Sequence, residues 1–231
     1  MNTATRKQKG SGFFSSKPAP KYVEVDYSSR ALTTEDLGEL LVSEYPSQRE
    51  MDNIFTLNVR DNNLVEMPAV PIQNLNSLEC SFNQLTVISS AGEIPQLRSL
   101  SDLYPYLQSL YCDNNQLTSL PRLHSNLDTL VCDENLLTAL PQLPEGLKTL
   151  TCSNNKLRAL PVLPESLEEI VCDGNPFAAP FNKFVDEYIK TNDISVLINK
   201  VNSHLAKKKL KGGSRKTKSK KSARKTRSAK H

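Results

Sequence analysis

Five cysteines, Cys80, Cys112, Cys132, Cys152 and Cys172, stand 32, 20, 20 and 20 residues apart. Thiols at fixed spacing are the first candidates for chemistry in this 231-residue chain. Structural zinc sites use close cysteine pairs, and disulfide frameworks use even numbers of cysteines. An odd, widely spaced row suits neither, so the expected role is that of small buried hydrophobes. His124, His204 and His231 lie apart, none beside an acidic or nucleophilic motif, and no catalytic triad or metal pair can be drawn. No phosphate-cradling G-x-x-x-x-G-K-[ST] or G-x-G-x-x-G occurs, since Gly212 and Gly213 fall in a basic stretch. The expectation is a non-enzymatic chain that uses no cofactor and no metal.

The cysteines belong to a longer frame, L-x-x-L-x-C-x-x-N-x-L-x-x-L-P, whose copies begin at Ile54, Leu75, Leu107, Leu127, Leu147 and Leu167. Val59 takes the cysteine position in the first copy. In x-L-x-C-x the side chains alternate, so Leu110 and Cys112 point inward while Ser109, Tyr111 and Asp113 point out, as a strand requires. Twenty residues less a strand and a turn leave no length for an ordinary return helix. Proline pairs such as Pro141/Pro144 and Pro161/Pro164 forbid one, and the return is expected to be extended. Asn62, Asn83, Asn115, Asn135, Asn155 and Asn175 recur where the chain leaves the strand, and their amides are expected to satisfy backbone groups of their own and adjacent coils.

This frame resembles leucine-rich repeats. The closing L-P-x-L-P of Leu140–Pro144 and Leu160–Pro164 resembles the short type of bacterial effectors such as YopM and IpaH, over a little more than half the chain. The resemblance implies an α/β solenoid, a leucine-rich-repeat horseshoe of about six coils with short parallel strands on its concave face. It also implies a protein-binding role. Ligase effectors with such repeats carry a separate catalytic domain, for which this chain has no room.

Open solenoid ends need covers. Thr33 or Thr34 followed by Glu35 and Asp36 gives a helix start, and Leu37, Leu40, Leu41 and Tyr45 follow at helical spacing. At the other end Phe181, Phe184, Val185, Tyr188 and Ile189 form one apolar stripe, and Ile194, Leu197, Ile198, Val201 and Leu205 another. The expected division is a disordered basic arm over 1–30, an N-terminal helical cap over 31–53, repeats over 54–180, a C-terminal helical cap over 181–206 and a disordered Lys/Arg-rich tail over 207–231. The 32-residue step from Leu75 to Leu107 places an insertion within 89–106, either a recognition loop or a tolerated bulge.

Two surfaces are candidates for binding. On the expected concave face stand Ser109, Tyr111, Asp113, Thr129, Val131, Asp133, Thr149, Thr151, Glu169, Val171 and Asp173. Tyr111, Val131 and Val171 offer an apolar centre, and the carboxylates suit a basic segment of a protein partner. The tail carries Lys207, Lys208, Lys209, Lys211, Arg215, Lys216, Lys218, Lys220, Lys221, Arg224, Lys225 and Arg227, with no acid and no aromatic residue. Nucleic acid is its natural counter-ion. Import signal, anionic lipid and the chain's own acidic middle are further readings of the same charge. The overall charge of +4 hides this segregation, because the bases gather at both ends around an acidic body.

Two function classes therefore stand side by side. One is a protein-binding scaffold localised by its tail, and the other a nucleic-acid-binding or virion structural protein acting through that tail. The tail composition resembles histone tails and the lysine-serine tails of giant DNA virus proteins. The polar N-terminus MNTATRKQKG has no apolar signal region, and the expected location is intracellular, in cytoplasm, nucleus, virion or host cell. A monomer without membrane insertion is expected.

Overall fold

The computed structural model describes residues 22–88 and 104–225, without the side chains of 211–225. The arm before Tyr22, most of the 89–106 insertion and the last six residues of the tail lie outside the described residues.

Seven strands form a single parallel sheet in chain order: β1 Val23–Asp26, β2 Ile54–Asn58, β3 Ser77–Glu79, β4 Ser109–Tyr111, β5 Thr129–Val131, β6 Thr149–Thr151 and β7 Glu169–Val171. The register joins like position to like position, with Leu57, Leu78, Leu110, Leu130, Leu150 and Ile170 paired across successive strands. Each of these is buried between two more exposed neighbours, so the alternation read from the sequence holds. Behind the sheet the inner leucines of every coil join one continuous core that runs from Val25 to Val201. Burial of a leucine stabilises by roughly 1.5–3 kcal/mol, but only against the coil before and after it. The returns of the later coils contain no helix, as the paired prolines require.

The N-terminal end departs from the expected disordered arm over 1–30. Residues 23–26 are β1, paired in parallel with β2, and β1 is a degenerate coil of the same solenoid. Val25 pairs with Leu57, which puts Tyr27 where the cysteine stands in later coils and Arg30 where the asparagine stands. Tyr27 is buried, and its hydroxyl donates to Glu44 at 2.7 Å. The frame is hidden because Tyr27 and Arg30 stand at its cysteine and asparagine positions, although Val25 and Leu32 keep two of its apolar positions.

Helix α1, Thr34–Glu44, starts at Thr33, whose side chain accepts from the Asp36 N–H while the Asp36 carboxylate accepts from the Thr33 N–H. Leu37 and Leu41 are buried. A second short helix, α2, Gln48–Met51, has the same reciprocal cap between Ser47 and Glu50 and buries Met51.

At the C-terminal end α3, Phe181–Thr191, and α4, Ile194–Lys225, pack together and cover the last coil with Phe181, Val185, Leu197, Ile198 and Val201. α3 ends at Asn192 in the left-handed region. α4 does not stop at residue 206, where the tail is expected to become disordered, but continues as helix to Lys225. Lysine, arginine and alanine are good helix formers and the segment has no proline, which offsets the cost of Gly212 and Gly213.

Candidate functional site: the outer face of the sheet

The outer face is built by the residues flanking each buried leucine. One column runs Thr56, Ser77, Ser109, Thr129, Thr149 and Glu169, and the next runs Asn58, Glu79, Tyr111, Val131, Thr151 and Val171, each in register across neighbouring strands. Ser109, Tyr111, Asp113, Thr129, Val131, Asp133, Thr149 and Thr151 are half-exposed, and Glu169, Val171 and Asp173 are exposed. All eleven expected face residues therefore share one surface. Tyr111 and Val131 are strand neighbours there, followed by Thr151 and Val171.

The carboxylates at the strand ends do more than the sequence suggests. Asp113 accepts from the Ser81 hydroxyl at 2.5 Å and from the Asn114 amide at 2.8 Å. Asp133 accepts from the Thr151 hydroxyl and, at 2.6 Å, from the Ser153 N–H. Asp173 accepts from the Ser153 hydroxyl at 2.7 Å. These aspartates link adjacent coils, and their charge is shared with the scaffold before any partner arrives. A hydroxyl one strand away from each acid is the signal in the sequence, visible once the register is applied.

Arg60 marks the opposite end of the face. Its guanidinium lies 4.2 Å from the centre of the Phe82 ring and 3.9 Å from Glu79. The face thus grades from a base in the first full coil to Glu169 and Asp173 in the last.

The asparagine row does what its position implies. Asn135 donates to the Cys112, Cys132 and Asp133 carbonyls at 3.0, 3.3 and 3.0 Å and accepts from the Leu117 N–H at 2.9 Å. Asn83, Asn115, Asn155 and Asn175 make the equivalent bonds, and Asn62 bonds to Tyr27, Arg30 and Leu32 of the degenerate coil. Each amide reaches back to the preceding coil.

All five cysteines are free and buried. The thiols of Cys80, Cys112 and Cys132 donate to the carbonyls of Tyr111, Val131 and Thr151 in the following coil. Burial raises every one of these thiols well above its ordinary value, Cys172 to about 12. Nucleophilic chemistry needs the thiolate, so the row is held in its unreactive form. Among the described residues no three His, Cys, Asp or Glu side chains are arranged to hold a metal ion, and no helix is long and apolar enough to cross a membrane.

His124 bonds within its own return, its Nδ1 accepting from the Asn126 N–H at 3.1 Å, and His204 stands edge-on to Phe181 and Phe184 in the cap. In the tail Lys207, Lys208 and Lys209 are exposed, Lys211 to Lys225 lie on α4, and Arg227 is outside the described residues.

A parallel sheet of one short strand per coil, an asparagine ladder and helix-free returns define a leucine-rich-repeat solenoid. Among solved structures the chain is similar to the leucine-rich-repeat domain of a Shigella effector, with 28% identity and a TM-score of 0.52 over 64% of this chain and 61% of that one. It is also similar to YopM of Yersinia enterocolitica (35% identity, TM-score 0.42, 55% of this chain and 30% of that one). YopM of Yersinia pestis gives 34% identity and a TM-score of 0.41 over 54% of this chain and 39% of that one. The chain thus spans less than two thirds of each of these proteins. No family model matches the sequence, and neither does any curated protein.

Proposed function

We propose that this chain is a non-catalytic scaffold that binds a protein partner on the outer face of its sheet. The observation that carries the reading is the apolar strip of the strand neighbours Tyr111 and Val131 within a polar, hydroxyl-rich face, with Val171 set apart beyond Thr151 on the last strand. Binding surfaces place such a strip inside a polar rim. The likeness to the leucine-rich-repeat domain of a Shigella effector supports the same role. The test is affinity capture with wild-type protein and a Tyr111→Ala, Val131→Lys double variant. Loss of the same captured partner from the variant, with unchanged melting, is the expected result, and unchanged capture would overturn it. Reversing Asp113 or Asp133 is a poorer test, because either change also breaks bonds between coils.

A second reading concerns the tail, where thirteen lysines and arginines stand in residues 207–231 without one acid. It binds polyanions and holds the scaffold near them.

A further inference from the structure

The polyanion reading of the tail leaves open what kind of polyanion is bound and in what form the tail binds it. The structure gives two constraints. α4 is one continuous helix from the packed cap into the basic segment. Its buried part is fixed by Leu197 and Val201, and by Asn202, whose amide pairs with both backbone groups of Leu163 in the last return. The basic segment begins five residues further on. Helix geometry makes residues 207–225 about 28 Å long, the axial length of about eight base pairs.

Eleven of those nineteen residues are lysine or arginine, with no acid, asparagine, glutamine or aromatic residue among them. At 100° per residue, Lys207, Lys208, Lys209 and Lys211 distribute charge around the helix rather than along one stripe. That pattern excludes several modes of binding. Single strands are held by stacking on aromatic rings, and there are none. A membrane-surface helix needs an apolar face, and Leu210 is the one large apolar residue of the segment. Readout of adenine needs asparagine or glutamine, which are absent, and lysines and arginines spread around the helix can reach guanine but are equally suited to phosphate. What remains is a rod able to neutralise phosphates on both walls of a duplex groove, as continuous basic helices do.

The helix itself points the same way. In sequence, lysines and arginines recur four apart, at 207 and 211, 211 and 215, and 216 and 220, a pattern that disfavours an isolated helix through like-charge repulsion, and Gly212 and Gly213 weaken it further. A row of phosphates removes the repulsion.

We infer that the basic extension of α4 binds double-stranded nucleic acid along its phosphate backbone, as a continuous helix and without regard to base sequence. This rests on the polyanion reading of the tail and is tested so that the two can fail separately. Full-length protein is titrated with two unrelated 30-base-pair DNA duplexes, a 30-nucleotide single strand, and phosphatidylcholine vesicles with and without phosphatidylserine. Two variants are compared with the wild type: a truncation of 207–231, and a Gly212→Pro, Gly213→Pro double variant that keeps every charge but breaks the helix.

The expected result is duplex affinity that falls at least 10³-fold between 50 and 200 mM salt and is equal for the two sequences within threefold. It is lost on truncation, weakened at least tenfold by the prolines, and at least tenfold weaker for the single strand, while the vesicles bind no better with phosphatidylserine. Helical circular dichroism rises on adding duplex to the wild type. Full affinity of the proline variant, equal affinity for the single strand, or preference for the anionic vesicles would overturn the duplex-helix inference and leave the polyanion reading standing. Absence of binding to all of these probes would overturn both.

Discussion

Asn202 meets Leu163 with both halves of its amide, Nδ2 donating to the Leu163 carbonyl at 2.8 Å and Oδ1 accepting the Leu163 N–H at 2.9 Å. The side chain of α4 thereby supplies the last return with backbone partners. An asparagine at an intermediate position of a helix carries no such message in sequence. Asn202→Leu keeps the branching at Cγ and removes both bonds, leaving two backbone groups without these partners. A loss of about 2–3 kcal/mol is expected, read as a lower urea midpoint and as faster amide exchange confined to α3, α4 and the last coil.

The asparagine row predicts a gradient of cost along the solenoid. Asn135 is buried with coils on both sides, whereas Asn175 in the last coil is half-exposed. Asn135→Ala deprives several buried carbonyls and one N–H of their partner and should cost about 3 kcal/mol or more, with Asn175→Ala costing roughly half as much. Equal costs in parallel urea melts would show that burial beneath a following coil adds nothing to bonds that both amides make.

The thiol row predicts a dependence on pH. Burial raises the folded thiols above the ordinary value near 9, so the unfolded chain loses its thiol protons at lower pH than the folded one. Stability is then fully present below pH 9 and is lost as pH rises from 9 towards the folded values. Each thiol contributes a slope of about 1.4 kcal/mol per pH unit in that window. Urea melts between pH 8 and 11 should show this fall, and Cys132→Val should make it shallower by one thiol's share. Below pH 9 a thiol reagent should label none of the five in the native protein at an appreciable rate, with Cys172 in the last coil reacting first.

One position in each full coil turns through the left-handed region: Asp61, Phe82, Asn114, Glu134, Asn154 and Gly174, with φ from 50° to 67°. Asparagine tolerates this conformation better than glutamate. Glu134→Asn should therefore raise stability by about 0.5 kcal/mol, even with loss of the bond that Glu134 accepts from Asn154 at 2.6 Å. Gly174→Ala should act oppositely, since its Cβ would lie 1.9 Å from Asn154 Oδ1. Thermal unfolding of the two variants checks both signs.

The parts of the fold that were legible in the sequence are those set by periodic burial. Leu110, Cys112 and Asn115 announce strand, core and turn by recurring every twenty residues, and Thr33 with Asp36 announces α1. The coil around Val25 was not legible, because Tyr27 replaces the small thiol and Arg30 the amide. Its register is visible only once Val25 lies beside Leu57. The outer face was legible as a list of residues but not as chemistry. Whether Asp133 is free or already bonded depends on Thr151 and Ser153, one coil away. The reach of α4 past residue 206 was missed because high charge was read as excluding a helix, whereas continuity with a packed cap removes the cost of nucleation.

The backward reach of the asparagines has a consequence for how such a molecule changes size. Every coil completes the one before it and leaves its own final needs to the next, so each junction uses the same set of bonds. Excising or duplicating twenty residues between equivalent positions, such as Leu127 and Leu147, rejoins chemically identical ends. The span of the outer face is then adjustable in steps of about 4.8 Å, with both caps kept. Gene-level slippage can tailor such a ruler to its partner while every junction keeps its asparagine bonds.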